Sequence, residues 1–160
     1  MAAPPPCPCE SGLSYDSCCE PLHRGARAAD PVALMRSRYS AYARGEAEYL
    51  WYTLHPQHEE RRQKESAWLA TLRRSIKQTR YLGLSILDSR VGSDEGQVLF
   101  LARLAIGGKD RAFVELSTFL LEPEGWRYYD GDGLPAAELG RTTVGLDIAA
   151  FQKLFAARKR

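Results

Sequence analysis

Between residues 31 and 44, Leu34, Met35, Arg38, Tyr39 and Tyr42 recur at the spacing that lines one side of an α-helix. Asp30-Pro31 reads as an N-cap followed by proline in the first turn, and Gly45 is a natural stop. Residues 46–53 predict a shorter helical piece ended by Pro56, and Trp68, Leu69, Leu72 and Ile76 mark a third helix. From Tyr81 the pattern shortens. Residues 80–90, 96–106, 111–121 and 125–130 are rich in Leu, Val, Phe and Tyr and are separated by glycine- and proline-bearing breaks. They predict a four-stranded antiparallel meander, and helices first with a sheet afterwards is an α+β arrangement. Leu146, Ile148, Phe151, Leu154 and Phe155 predict a last amphipathic helix ending in Arg158-Lys159-Arg160, free to dock on the body or on a partner.

The 160 residues, 44% hydrophobic and 26% charged, suit one ordinary globular domain with a small appendage. Lys and Arg number 22 against 20 Asp and Glu, an excess of +2 that argues against nucleic-acid binding as the main task. The start has no apolar run of signal length, and stretches such as 98–102 are too short to span a bilayer, which leads to a cytoplasmic expectation.

The four cysteines, Cys7, Cys9, Cys18 and Cys19, all fall near the N-terminus as two close pairs eight residues apart. That is enough chain to turn back at Ser11-Gly12 and gather four sulfurs round one ion. Four protein ligands point to a structural zinc, one per chain, without an open catalytic position. Cross-paired disulfides, free thiols and a redox pair are the alternatives, and a reducing compartment disfavours the disulfides. Glu10, Asp16 and Glu20 would make this end an acidic knob. His23 either replaces a sulfur or is an ordinary exposed histidine.

Cys7-Pro-Cys9-x-Ser11-Gly12 followed by Cys18-Cys19 resembles the SEC-C zinc motif of the SecA translocation ATPase tail, where the last ligand is often histidine. The continuation is more specific: Pro21-Leu22, Leu34-Met35-Arg36-Ser37-Arg38-Tyr39-Ser40-Ala41-Tyr42, Thr53-Leu-His55-Pro56, Tyr81-Leu-Gly-Leu84, Glu115-x-Ser117-x-Phe119 and Trp126-x-Tyr128-x-Asp130-Gly131. Together these resemble the YchJ family. The resemblance, which covers residues 7 to about 131, implies an N-terminal SEC-C zinc knob (1–25) and a cone-shaped nuclear-transport-factor-2-like domain of three helices on a curved sheet (26–134); the C-terminal amphipathic helix and basic tail (135–160) lie beyond it. It also implies a SecB-like chaperone or ribosome as partner. Here the loop between the cysteine pairs lacks the usual lysines, which weakens attraction to an acidic or phosphate surface.

A cone encloses a cavity, and strand alternation puts Phe113, Glu115, Ser117 and Phe119 on one face. Glu115 is a candidate general base with His55 or Asp130 beside it. The alternative is a structural pairing of Glu115 with Arg38 or Arg103, with His55 capping a helix end. Trp51, Trp68, Tyr81 and Tyr128 either line a ligand pocket or are plain core. Asp130-Gly-Asp132-Gly133 lacks the further ligands of a calcium loop and reads as a turn leaving the last strand. Arg73, Lys77 and Arg80 offer a basic helix side to RNA or the ribosome, diluted by Glu59, Glu60 and Glu65. The sum is a zinc-binding, non-enzymatic adaptor or binding protein, with a cavity enzyme or a ribosome-associated protein as alternatives.

Overall fold

The computed structural model describes residues 2–158, so Lys159 and Arg160 of the basic tail lie outside the described residues. Helix α1 (Glu20–His23) closes the cysteine segment, and α2 (Pro31–Arg44), α3 (Ala47–Tyr52) and α4 (Glu65–Lys77) follow. The side chain of Asp30 accepts the Ala33 N–H at 2.8 Å, and Gly45 closes α2 in the left-handed region at φ 78°. That cap is worth about 1 kcal/mol.

Strands β1 (Thr79–Val91), β2 (Glu95–Ile106), β4 (Phe113–Glu122) and β5 (Gly125–Pro135) form an antiparallel sheet in the order β1-β2-β4-β5, with the short β3 (Lys109–Asp110) paired to β2. Register shifts at Tyr81/Gly83, Ile86/Asp88 and Thr118/Phe119 supply the local bends that curve a sheet. The last strand corrects the sequence expectation. Asp130 to Gly133 is not a turn but lies within β5, paired with Thr118 through Glu115 of β4.

Alternation sorts the sheet into two faces. Val98, Phe100, Ala102 and Phe119 pack with Leu34, Met35 and Tyr39 of α2. Leu99, Val114, Leu116 and Leu134 look the other way, onto Ile148 and Phe151 of α5 (Ile148–Arg158). The C-terminal helix therefore docks on the body, its first turn held by Ile148 N–H to Asp88 Oδ2 at 2.9 Å and its last by Arg158 pairing with Glu138. Leu50, Leu54 and Trp68 join α2, α3 and α4, and Trp51 and Trp68 meet there with tilted rings, outside the cavity lining. The segment after α3 is tied to the sheet by His55 N–H to Tyr128 O at 2.7 Å and Tyr128 N–H to Thr53 O at 2.8 Å.

Candidate metal centre and cavity

The cysteine segment folds back on itself through Cys7 N–H to Leu13 O and Glu10 N–H to Cys7 O, with Glu10 at the unusual φ of 60°. All four sulfurs then lie within 4.8 Å of one another, and Cys7, Cys9 and Cys19 are buried. Cys9 Sγ is 3.6 Å from Cys18 Sγ, and Cys18 Sγ is 3.8 Å from Cys19 Sγ. These are contacts between free thiols, well beyond the ~2.0 Å of a disulfide. Such a group can hold a metal ion. Hydrogen bonding, chiefly from Cys19, draws the Cys9 thiol down to about 4, and the same bond with burial pushes Cys19 up. One thiolate is thus favoured among its neighbours, the form in which sulfur binds metal.

The surroundings hold the cluster in place. Ser40 Oγ lies 3.3 Å from Cys7 Sγ, Ser11 Oγ lies 3.1 Å from Cys18 Sγ, and Arg36 donates to the Cys9 carbonyl at 2.7 Å. Glu10 accepts from Leu84 N–H at 3.0 Å and from Arg103 at 2.9 Å, which clamps the knob to β1 and β2. The knob is less acidic than its sequence, since Glu10 pairs with Arg103, Glu20 with Arg24, and Arg44 stacks 3.8 Å above Tyr15. His23 is neither in the sulfur cluster nor freely exposed. Its Nε2 meets the Ser37 carbonyl at 2.8 Å, so Nε2 carries the proton and Nδ1 accepts from the Tyr15 hydroxyl at 2.7 Å. Burial holds its pKa below the usual 6.5.

On the other side of α2 lies a cavity of about 460 Å³ between the helices and the concave face of the sheet. Tyr39, Tyr42, Tyr81, Phe100, Phe113 and Tyr128 supply aromatic walls, and Arg38, His58, Glu60, Arg111 and Glu115 are its chargeable groups. At 100° per residue, Arg36, Ser37, Ser40 and Arg44 fall on the knob side of α2, and Met35, Arg38, Tyr39 and Tyr42 on the cavity side. One helix separates the two centres.

Glu115 stands in the cavity wall with Oε2 accepting from the Ser117 hydroxyl at 2.5 Å and the Tyr128 hydroxyl at 2.9 Å. The expected pairing with arginine is corrected. Arg103 binds Glu10 and Ser85, while Arg38 donates to Leu50 O and Thr53 Oγ1 and lies 4.8 Å over the Tyr128 ring. Burial, reinforced by the Glu115 charge, pushes Tyr128 far above the usual tyrosine range, so it remains a proton donor. A Cβ at Gly131 would strike Glu115 Oε2 and the Tyr128 hydroxyl, which gives that glycine its purpose.

The three acid–base candidates do not converge. His55 is buried, but its Nδ1 accepts Gln57 N–H at 3.0 Å and its Nε2 meets Glu122, seven residues along β4 from Glu115. Asp130 is exposed and accepts its neighbour Gly131 N–H at 2.8 Å, outside the cavity lining. The histidine at the cavity is His58, whose ring lies 5.4 Å from that of Tyr128 and whose pKa burial lowers. Sequence reading passed over it because the loop after Pro56 has no period to place a side chain. Among the basic positions of α4, Arg73 pairs with Glu48.

A family model described as "YchJ, middle NTF2-like domain" matches residues 30–131. The chain belongs to the YchJ family. A UPF0225 protein of Pectobacterium carotovorum is 42% identical over 131 residues, covering 78% of this YchJ-family chain and 81% of the relative. The solution structure of a SEC-C motif containing protein from Rhodopseudomonas palustris matches at TM-score 0.68 and 36% identity over 79% of this chain and 96% of that one. A crystal structure of a SEC-C motif containing protein from Psychrobacter arcticus matches at TM-score 0.65 and 27% identity, covering 78% and 80%. The YchJ middle domain spans both the cavity side and the knob side of α2. No helix among the described residues is long and apolar enough to cross a membrane.

Proposed function

We propose that this chain is a zinc-stabilised binding protein: Cys7, Cys9, Cys18 and Cys19 hold one structural zinc, and the cavity behind α2 binds a small organic ligand without turning it over. The observation that carries the reading is the position of α2, with the sulfur cluster bonded to one side of it and the cavity walled by the other. Zn–S bonds of about 2.3 Å in a tetrahedron put sulfurs about 3.8 Å apart, close to the 3.6 and 3.8 Å separations given above. A site closed by four thiolates leaves no position for a reacting water, so the metal acts as a rivet. The dispersal of Glu115, His55 and Asp130 to three separate surroundings favours recognition over acid–base turnover. On this reading the chain divides into the knob (1–25), the cone (26–134) and the C-terminal amphipathic helix with its basic tail (135–160). Leu13, more than half exposed on a loop without a base, fits a protein partner better than a phosphate surface.

Native mass spectrometry with metal analysis tests this reading on the wild type and on a Cys18→Ser, Cys19→Ser variant. One zinc per chain, absent from the variant, is the expected result. A wild type that takes up no metal under reducing conditions overturns the zinc assignment. A ligand screen followed by amide NMR tests the cavity, and shifts confined to sites away from Tyr42, Tyr81 and Tyr128 would refute it.

A further inference from the structure

The protein satisfies only half of the Glu115 carboxylate. Both donors that reach it, Ser117 and Tyr128, meet the same oxygen, Oε2. Among the described residues no donor reaches Oε1, although a carboxylate has about four lone-pair sites over its two oxygens. The arrangement is built, since Gly131 leaves on the neighbouring strand the space that the carboxylate and the Tyr128 hydroxyl occupy. A carboxylate held this way in a cavity wall has acceptor capacity left for a donor that comes from the cavity.

The remaining lining restricts what can bring that donor. Tyr42, Tyr81, Phe100 and Phe113 line the cavity with aromatic rings, and aromatic rings favour offset or edge-to-face contact with another ring. The charges cancel: Arg38 and Arg111 against Glu60 and Glu115. An anionic ligand meets Glu60 and Glu115 and finds the Nη1 of Arg38 already committed to Leu50 O and Thr53 Oγ1, which leaves Arg111 to receive it. A cationic one meets Arg38 and Arg111. The volume of about 460 Å³ lies in the range of small-molecule sites and accommodates one or two rings.

We propose that the cavity selects a neutral aromatic molecule bearing a hydroxyl or N–H donor, which it delivers to Oε1 of Glu115; this rests on the reading of the cavity as a ligand site. Selection comes from the acceptor. A ring without a donor leaves the carboxylate oxygen facing apolar surface in place of water, a desolvation with no return.

The test is an amide NMR titration of the isotope-labelled full chain at neutral pH with phenol, toluene, benzylamine and benzoate. Phenol and toluene differ by a hydroxyl in the place of a methyl, and the other two carry opposite charges on the same ring. Phenol should bind about tenfold more tightly than toluene, the effect of one hydrogen bond to a charged group. Glu115→Gln should shrink that ratio severalfold, weakening phenol and tightening toluene, because a neutral amide costs less to desolvate than a carboxylate. Equal affinities for phenol and toluene overturn the donor requirement while the ligand-site reading stands. Tighter binding of benzylamine or benzoate than of phenol overturns the neutrality. If none of the four moves the cavity resonances at about 10 mM, the ligand-site reading itself falls. Should the variant fail to fold, the wild-type ratio decides alone.

Discussion

Gly131 and Gly133 sit two residues apart on one strand, yet adding a methyl group has opposite consequences at the two. At Gly131 the new Cβ would enter the space of Glu115 Oε2 and the Tyr128 hydroxyl, whereas at Gly133 it would meet Val114 O at 3.6 Å and Glu115 Cβ at 3.9 Å, ordinary contacts. Gly131→Ala should therefore destabilise the fold by roughly 1–3 kcal/mol in denaturant titration, and Gly133→Ala should stay near neutral. Equal effects would mean that the carboxylate moves aside freely. His23 yields a second prediction at this scale. A folded pKa depressed by burial means that the unfolded chain takes up a proton which the folded one refuses. The contribution to stability is complete above about pH 6.5 and is lost as pH falls through the lower folded value. Between about pH 7.5 and about pH 5.5 the melting temperature of the wild type should fall further than that of His23→Gln, because any acid loss of metal is common to both. Parallel curves would show that His23 takes no part.

At the scale of elements, α2 was legible because its signals agree: Asp30 caps it, Pro31 opens it, and Gly45 ends it. The meander was legible from its breaks. The end of β5 was not, because Asp-Gly-Asp-Gly has the same chemistry whether it turns or leaves room for a neighbour, and only the pairing of Gly131 with Ser117 and Gly133 with Glu115 decides. The cysteine cluster could be read from spacing alone. The cavity could be read only in part, since Glu115 and Tyr128 lie on strands whose period fixes their side, whereas His58 lies in a loop. The contacts of Ser40 with Cys7 and of Arg36 with Cys9 couple the cluster to α2 and lead to a third prediction. Stripping the metal with a chelator under reducing conditions should lower the melting temperature and should raise amide hydrogen exchange across α2 before the centres of β2 and β4 respond. Loss of protection confined to residues before α1 would mean that the knob is appended to the body without bracing it.

For the whole molecule, one sheet separates two apolar layers with different tasks. The concave layer carries α2, the cysteine cluster and the cavity, and the outer layer consists of aliphatic side chains under α5. Phe151 is fully buried in that outer layer, stacked with Phe155. Its truncation in Phe151→Ala removes contacts with the back of the sheet only, and the loss for a buried phenylalanine is about 3–5 kcal/mol. Among the described residues no outer-layer side chain reaches the cavity lining, because alternation sends Leu99 and Val114 away from Phe100 and Phe113. The variant should therefore lose stability in denaturant titration by that amount and yet, at a temperature where it remains folded, bind cavity ligands with unchanged affinity. Affinity falling in step with stability would mean that the sheet transmits strain between its faces, and α5 would then belong to the binding machinery and not to the scaffold that supports it.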